Sequence, residues 1–98
     1  MRAEVKRGDI MTITEMLKTM TAEEIIAEKP MMSIPDLVGD LRTHGVKTNP
    51  SRARAMIKNG QYPFAKWYKE KTMQTEIYTK PYIKYIDEMF GLPQRETA

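Results

Sequence analysis

The side chains best equipped for chemistry in this 98-residue chain are basic or amide-bearing, and they crowd into one stretch. From Lys47 to Asn59 run Asn49, Ser51, Arg52, Arg54 and Lys58. Arginine and lysine reach guanine edges or phosphates, asparagine pairs with adenine, and small residues such as Ser51 and Ala55 let a backbone approach closely. A second group, Lys66, Lys69 and Lys71, follows shortly after. The net charge of +3 hides a segregation: residues 1–46 hold six basic against eight acidic residues, 47–80 eight against two, and 81–98 two against three. A basic middle between mildly acidic ends is the pattern of a polyanion-binding face on a small domain. The alternative is a solvated surface on which lysines happen to cluster.

Catalytic chemistry has less to draw on. There is no cysteine, which excludes disulfides, thiol nucleophiles and thiolate metal sites. The single histidine, His44, precedes an expected helix end, where a cation interacts well with the dipole. The five glycines, at 8, 39, 45, 60 and 91, are too dispersed for a phosphate-cradling loop. Adjacent carboxylates occur at Glu23-Glu24 and Asp87-Glu88, where neighbours point to different helix faces. Ser33 and Ser51, the only serines, both suit the first turn of a helix. The expectation is a non-enzyme with no catalytic residue, no metal and no cofactor.

The elements that must position the basic residues follow from apolar spacing and caps. Ile13, Met16, Leu17 and Met20 fall at i, i+3, i+4, i+7, one face of a short helix. Thr21 to Glu24 reads as a capping box opening a second short helix that Pro30 stops. Ser33, Pro35 and Asp36 start a helix over 34–44, with Ile34, Leu37, Val38 and Leu41 as its apolar stripe and Gly45 as its left-handed stop. Thr48-Asn49-Pro50 starts the next helix, over 50–59, ended by Asn59-Gly60. The tight connection between the two is that of a helix-turn-helix. Tyr62 to Tyr68 reads as a strand, Thr75 to Thr79 as its partner, and Lys69 to Gln74 as the loop of a hairpin. A closing helix over 81–90 carries Tyr82, Ile83, Ile86, Met89 and Phe90.

Residues 33–91 resemble the small winged helix-turn-helix domains of the excisionase and MerR-like type. The resemblance lies in SIPDLVGDLRTHG for the first helix, NPSRARAMIKNGQYPF for the recognition helix and its exit, and EIYTKPYIKYIDEMFG for the returning strand and last helix. The 45–49 connection departs from that pattern, and residues 1–32 lie outside it. The expected fold is mainly α with a small β-hairpin: residues 1–32 as an N-terminal helical extension packing on the domain, 33–91 as the winged helix-turn-helix, and 92–98 as a tail.

The resemblance implies double-stranded DNA binding, with helix 50–59 in the major groove and hairpin 62–79 as a basic wing. The role implied is that of an excisionase-type recombination factor or a small transcriptional regulator of a phage or mobile element. Lysines on the wing should supply sequence-independent affinity, and Arg52, Arg54 and Asn59 base readout. Expected partners are double-stranded DNA, a homodimer or cooperative array upon it, and an integrase or other protein, with no membrane. A protein-binding module whose basic face docks an acidic partner, such as a phage-type inhibitor, is the reading from another class. Two assignments stay open. Lys66, Lys69 and Lys71 fit wing contacts or charges that blunt an edge strand. Tyr62, Phe64 and Trp67 fit base stacking or core packing. Six of nine methionines lie in the first third, suiting gap filling or a partner contact. The N-terminus lacks the apolar run of a signal peptide, which predicts an intracellular protein, and the resemblance implies a cytoplasmic one that is bacterial or phage-encoded.

Overall fold

The computed structural model describes residues 11–69 and 73–92, without the Met73 side chain. Within them the chain forms helices α1 (Ile13–Met16) and α2 (Ala22–Glu28), strand β1 (Met31–Met32), helices α3 (Ile34–Thr43) and α4 (Pro50–Lys58), strands β2 (Ala65–Lys69) and β3 (Met73–Tyr78), and helix α5 (Thr79–Phe90). The described part is therefore five helices and a three-stranded antiparallel sheet, in the order β1-β3-β2.

Local chemistry sets the helix starts. Thr12 with Glu15, Thr21 with Glu24, and Ser33 with Asp36 each close a reciprocal capping box, satisfying two amides that lack a helical partner. At Asp36 burial alone would raise the carboxyl. The Ser33 N–H, the Lys29 ammonium at 3.1 Å and the Ser33 hydroxyl together outweigh it and hold the group below its ordinary value. The first helix is shorter than its apolar spacing predicts. After Met16 the chain tightens into i→i+3 bonds, Lys18 N–H to Glu15 and Thr19 N–H to Met16, before the Thr21 cap.

Three boundaries move for stated reasons. The helix expected over 34–44 ends at Thr43, with His44 as C-cap and Gly45 at φ 85°. The helix expected over 50–59 ends at Lys58, with Asn59 as C-cap and Gly60 at φ 73°. The last helix begins at Thr79 rather than Pro81. Thr79 does not cap it: its hydroxyl donates to the Lys29 carbonyl and its N–H to the Pro30 carbonyl at 3.0 Å, so both tie the sheet to the segment before β1. Pro81 falls in the first turn, where no amide bond is lost.

The hairpin is also part of a larger sheet. Met31 and Met32 pair with Tyr78 and Ile77, adding a third strand. The first strand is confined to Ala65–Lys69, because Tyr62 and Phe64 turn inward as core residues, 6% and 1% exposed. Phe64 meets Tyr82 and Tyr85 edge-on, with ring centroids 5.0 and 4.9 Å away. One apolar cluster joins Ile13, Leu17 and Ile25 of the N-terminal third to Leu37, Ile57, Phe64, Ile77 and Ile86.

Candidate nucleic-acid interface

The path from α3 into α4 is fixed at its carbonyls. The Arg42 guanidinium, in the last turn of α3, donates through Nε and Nη2 to the Thr48 carbonyl at 3.0 and 2.8 Å. Thr48 is itself buried, so this fork pins the residue just before the α4 cap. Asn49 then accepts the Arg52 N–H on Oδ1 at 2.9 Å, and Pro50 supplies the preset first helical φ. Asn49 was expected as a nucleic-acid contact; its carbonyl oxygen is committed to the cap. Exposed Lys47 shares with Arg42, Val46 and Asn49 an open groove of about 520 Å³ at this helix entry.

Helix α4 buries little. Ala53 and Ile57 face the core and Met56 is half-buried. At 100° per residue the direction opposite to them is held by Ser51 and Ala55, with Arg52 and Arg54 roughly 80° to either side. Asn59 lies on the Arg52 flank at the C-terminal end and Lys58 on the Arg54 flank. All six are exposed. Arg52 is near enough to Tyr62 to influence it: burial and Tyr85 push the Tyr62 hydroxyl up, and the Arg52 charge opposes them. From residue 47 to 69 the chain carries six basic residues and no acidic one.

Trp67 has a role that neither expected reading gave it. It is half-buried and packs against the core, as one of the two expected readings had it, and it also ties the hairpin to α4. Its indole Nε1–H donates to the Lys58 carbonyl at 2.9 Å, and the Lys58 ammonium lies 5.3 Å from the ring centroid. The first hairpin strand is thereby bracketed to the C-terminal end of α4, where carbonyls lack helical donors.

Strand alternation separates the hairpin lysines. Cross-strand partners share a face, so Trp67 and Thr75 lie on the α4 side, and Lys69, two residues on from Trp67, shares that face. Lys66 with Glu76 and Tyr68 with Gln74 lie on the other. There Glu76 accepts from the Tyr78 and Tyr68 hydroxyls, which hold its carboxyl below its ordinary value, with Lys66 adding to the effect. Of the three expected wing lysines, Lys69 shares the face of Trp67, Lys66 sits opposite a carboxylate, and Lys71 lies outside the described residues. The other expected contacts, Lys47, Asn49, Ser51, Arg52, Arg54, Lys58 and Asn59, gather on α4 and its two ends.

A buried polar centre, absent from the sequence reading, stands behind α4. Asp40 on α3 is fully buried and accepts from the Thr14 N–H at 2.6 Å, the Thr14 hydroxyl at 2.8 Å and the Tyr82 hydroxyl. His44, expected at the end of α3 and found there as its C-cap, turns its ring to Thr14, with Nε2 at 2.9 Å from Oγ1, and stacks on Phe90 at 4.5 Å. Since the Thr14 hydroxyl gives its one proton to Asp40, it accepts from His44, which puts a proton on Nε2. Burial, then the Asp40 charge and hydrogen bond, drive the Tyr82 hydroxyl far above its ordinary range. Each group satisfies another, and the centre joins α1, α3 and α5. A signal was present: Asp40 and His44, four residues apart, border the apolar stripe of α3.

Compared with known protein families, curated proteins and solved structures, the chain matches none. Among the described residues no group of three or more His, Cys, Asp or Glu side chains could hold a metal ion, and no helix is long and apolar enough to cross a membrane.

Proposed function

We propose that this chain is a winged helix-turn-helix module that binds double-stranded DNA, with α4 in the major groove and the β2–β3 hairpin against the flanking backbone or minor groove. The observation that carries the reading is the outward face of α4: exposed, free of carboxylates, and bracketed to a basic hairpin through Trp67. The element order supports it, since a short strand between α2 and α3 completes a sheet with the hairpin that follows α4. That is the order of a winged helix.

In this reading Ser51 and Ala55 lie nearest the groove floor, and their small side chains permit close approach. Arg52 and Arg54, one on each flank, reach toward the two strands. They serve phosphates first and base edges where they bend inward. Lys47 stands at the α4 N-terminus, where the helix dipole and the Ser51 N–H favour a phosphate, the Arg52 N–H being held by Asn49. Lys69 extends the basic face along the hairpin. Whether the module serves excision or repression is a matter of its partners, and by resemblance both are proposals.

The test is fluorescence anisotropy of labelled random-sequence duplex at a series of salt concentrations. The expected result is binding whose log K falls against log salt with a slope of about 3–6, reporting about that many phosphates. Absence of binding at low salt overturns the reading and directs the search to an acidic protein partner.

A further inference from the structure

A groove of about 530 Å³ runs between α2 and α5, lined by Ala22, Ile26 and Ala27 on one side and Ile83 on the other. Its rims are charged: Glu23 on α2, and Lys80, Lys84 and Asp87 on α5. These four are exposed, and no ion pair joins any of them to another described residue. Helices α2 and α5 pack on each other, whereas α4 packs on α3 and β2, so the groove is built from elements other than the candidate DNA-binding helix.

The charges on α5 are placed against its own dipole. A helix N-terminus favours anions and a C-terminus cations. Here Lys80 is the second residue of the helix, whose first turn holds no acid, while Asp87 stands in a last turn that holds no base. Lys80 and Lys84, one turn apart, also repel each other along the surface. An isolated α5 would be better served by the opposite arrangement.

The inversion has a simple remedy. Lys80, Ile83, Lys84 and Asp87 fall within an arc of roughly 100°, and Lys80 and Asp87 are two turns apart on nearly one line. A second α5 laid antiparallel, with the crossing between Ile83 and Lys84, sets Lys80 against Asp87 of the second copy and Asp87 against its Lys80. Ile83, a core residue 6% exposed, lies beneath the crossing, and the exposed Lys84 and Glu23 stand on opposite rims of the groove. Lys80 and Asp87 each gain an opposite charge, and each ill-placed helix end gains a compensating group. This is the self-complementarity that a two-fold interface demands.

We propose that the α2–α5 groove is the face on which two copies of this chain pair, α5 against α5, through reciprocal Lys80–Asp87 contacts. The inference is independent of DNA binding and is tested without DNA. Analytical ultracentrifugation of the full chain over a wide concentration range is the measurement, with circular dichroism to verify that each variant is folded. The wild type is expected to associate reversibly to a dimer that weakens with salt. Lys80→Asp and Asp87→Lys should each raise the dimer Kd by about tenfold or more, since each opposes like charges. The double variant Lys80→Asp/Asp87→Lys should recover most of the loss. A wild type that stays monomeric at millimolar concentration overturns the proposal. So does a dimer indifferent to the single reversals, or one the double reversal fails to restore.

Discussion

Replacing Trp67 by phenylalanine keeps an aromatic ring on β2 and removes one N–H donor. In the native protein that N–H meets the Lys58 carbonyl at 2.9 Å while the Lys58 ammonium rests over the ring. A hydrogen bond contributes about 0.5–1.5 kcal/mol net, and the half-exposed setting argues for the lower part of that range. The weaker cation attraction of a phenyl ring removes roughly another 0.5 kcal/mol. About 1 kcal/mol should lower Tm by roughly 4–8 °C in a domain of this size. The functional consequence is the more telling one. With the bracket gone the hairpin no longer holds its angle to α4, so Lys69 contributes less to a backbone contact. Each lost phosphate reduces the salt slope by about 0.9. Trp67→Phe should therefore flatten the slope of duplex binding by about one such step, and Trp67→Leu, which removes the ring, should flatten it further. Ile25→Val on α2, outside both α4 and the hairpin, gives a comparable loss of stability, about 0.5–1.5 kcal/mol, and serves as control. Anisotropy of labelled DNA well below each Tm supplies the slopes. An unchanged slope in both Trp67 variants, or an equal drop in Ile25→Val, would refute the argument that Trp67 positions the hairpin.

Tyr82→Phe removes a buried, charge-assisted donor from Asp40 and should cost about 1.5–3 kcal/mol in urea unfolding. Asp40→Asn puts an amide where a carboxylate accepts from Thr14 and Tyr82. It should cost about 3 kcal/mol or more, a large part of a total near 5–15 kcal/mol; equal stability in the two variants would contradict the shared-acceptor geometry. Arg52→Ala and Arg54→Ala should leave unfolding within about 0.5 kcal/mol of wild type, being exposed, yet each should weaken duplex binding and lower the salt slope by about 0.9. The acid limb of stability should carry the mark of Asp36, whose carboxyl is held below its ordinary value. Its contribution is complete above the unfolded carboxylate pKa, near 4, and is lost as pH falls through the lower native value. Urea midpoints measured downward from pH 5 should then fall less steeply in Asp36→Asn than in wild type.

What the sequence disclosed and what it withheld divide along the range of the interactions. Ser33 and Asp36, Asn49 and Pro50, and Gly45 and Gly60 mark their helix ends through contacts a few residues long, so types and spacing suffice to read them. Strand β1 is two methionines with no alternation to show, and it exists because Met31 finds Tyr78 far along the chain. The Asp40 centre joins positions 14, 40 and 82, which no local pattern connects. Thr79, read as the last residue of the returning strand, instead opens α5, and its buried hydroxyl donates to the Lys29 carbonyl far back along the chain. The separation of Lys66 from Lys69 was within reach of the sequence, since residues three apart in a strand face opposite ways.

The architecture around α4 bears on why its outward face can be so polar. Nine residues that bury only Ala53 and Ile57 are too few to form a stable helix by propensity alone. The helix is held instead at its ends. Arg42, Asn49 and Pro50 fix its entry, and Gly60 and the Trp67 indole fix its exit. Behind it, the Asp40 centre ties α3 to α1 and α5, so the helix that α4 rests on is anchored from its far side. Little of the stability of α4 then depends on Ser51, Arg52, Arg54 or Ala55. Those positions are left to be chosen by what they touch, and their charge, small size and lack of carboxylates fit a polyanion at close approach.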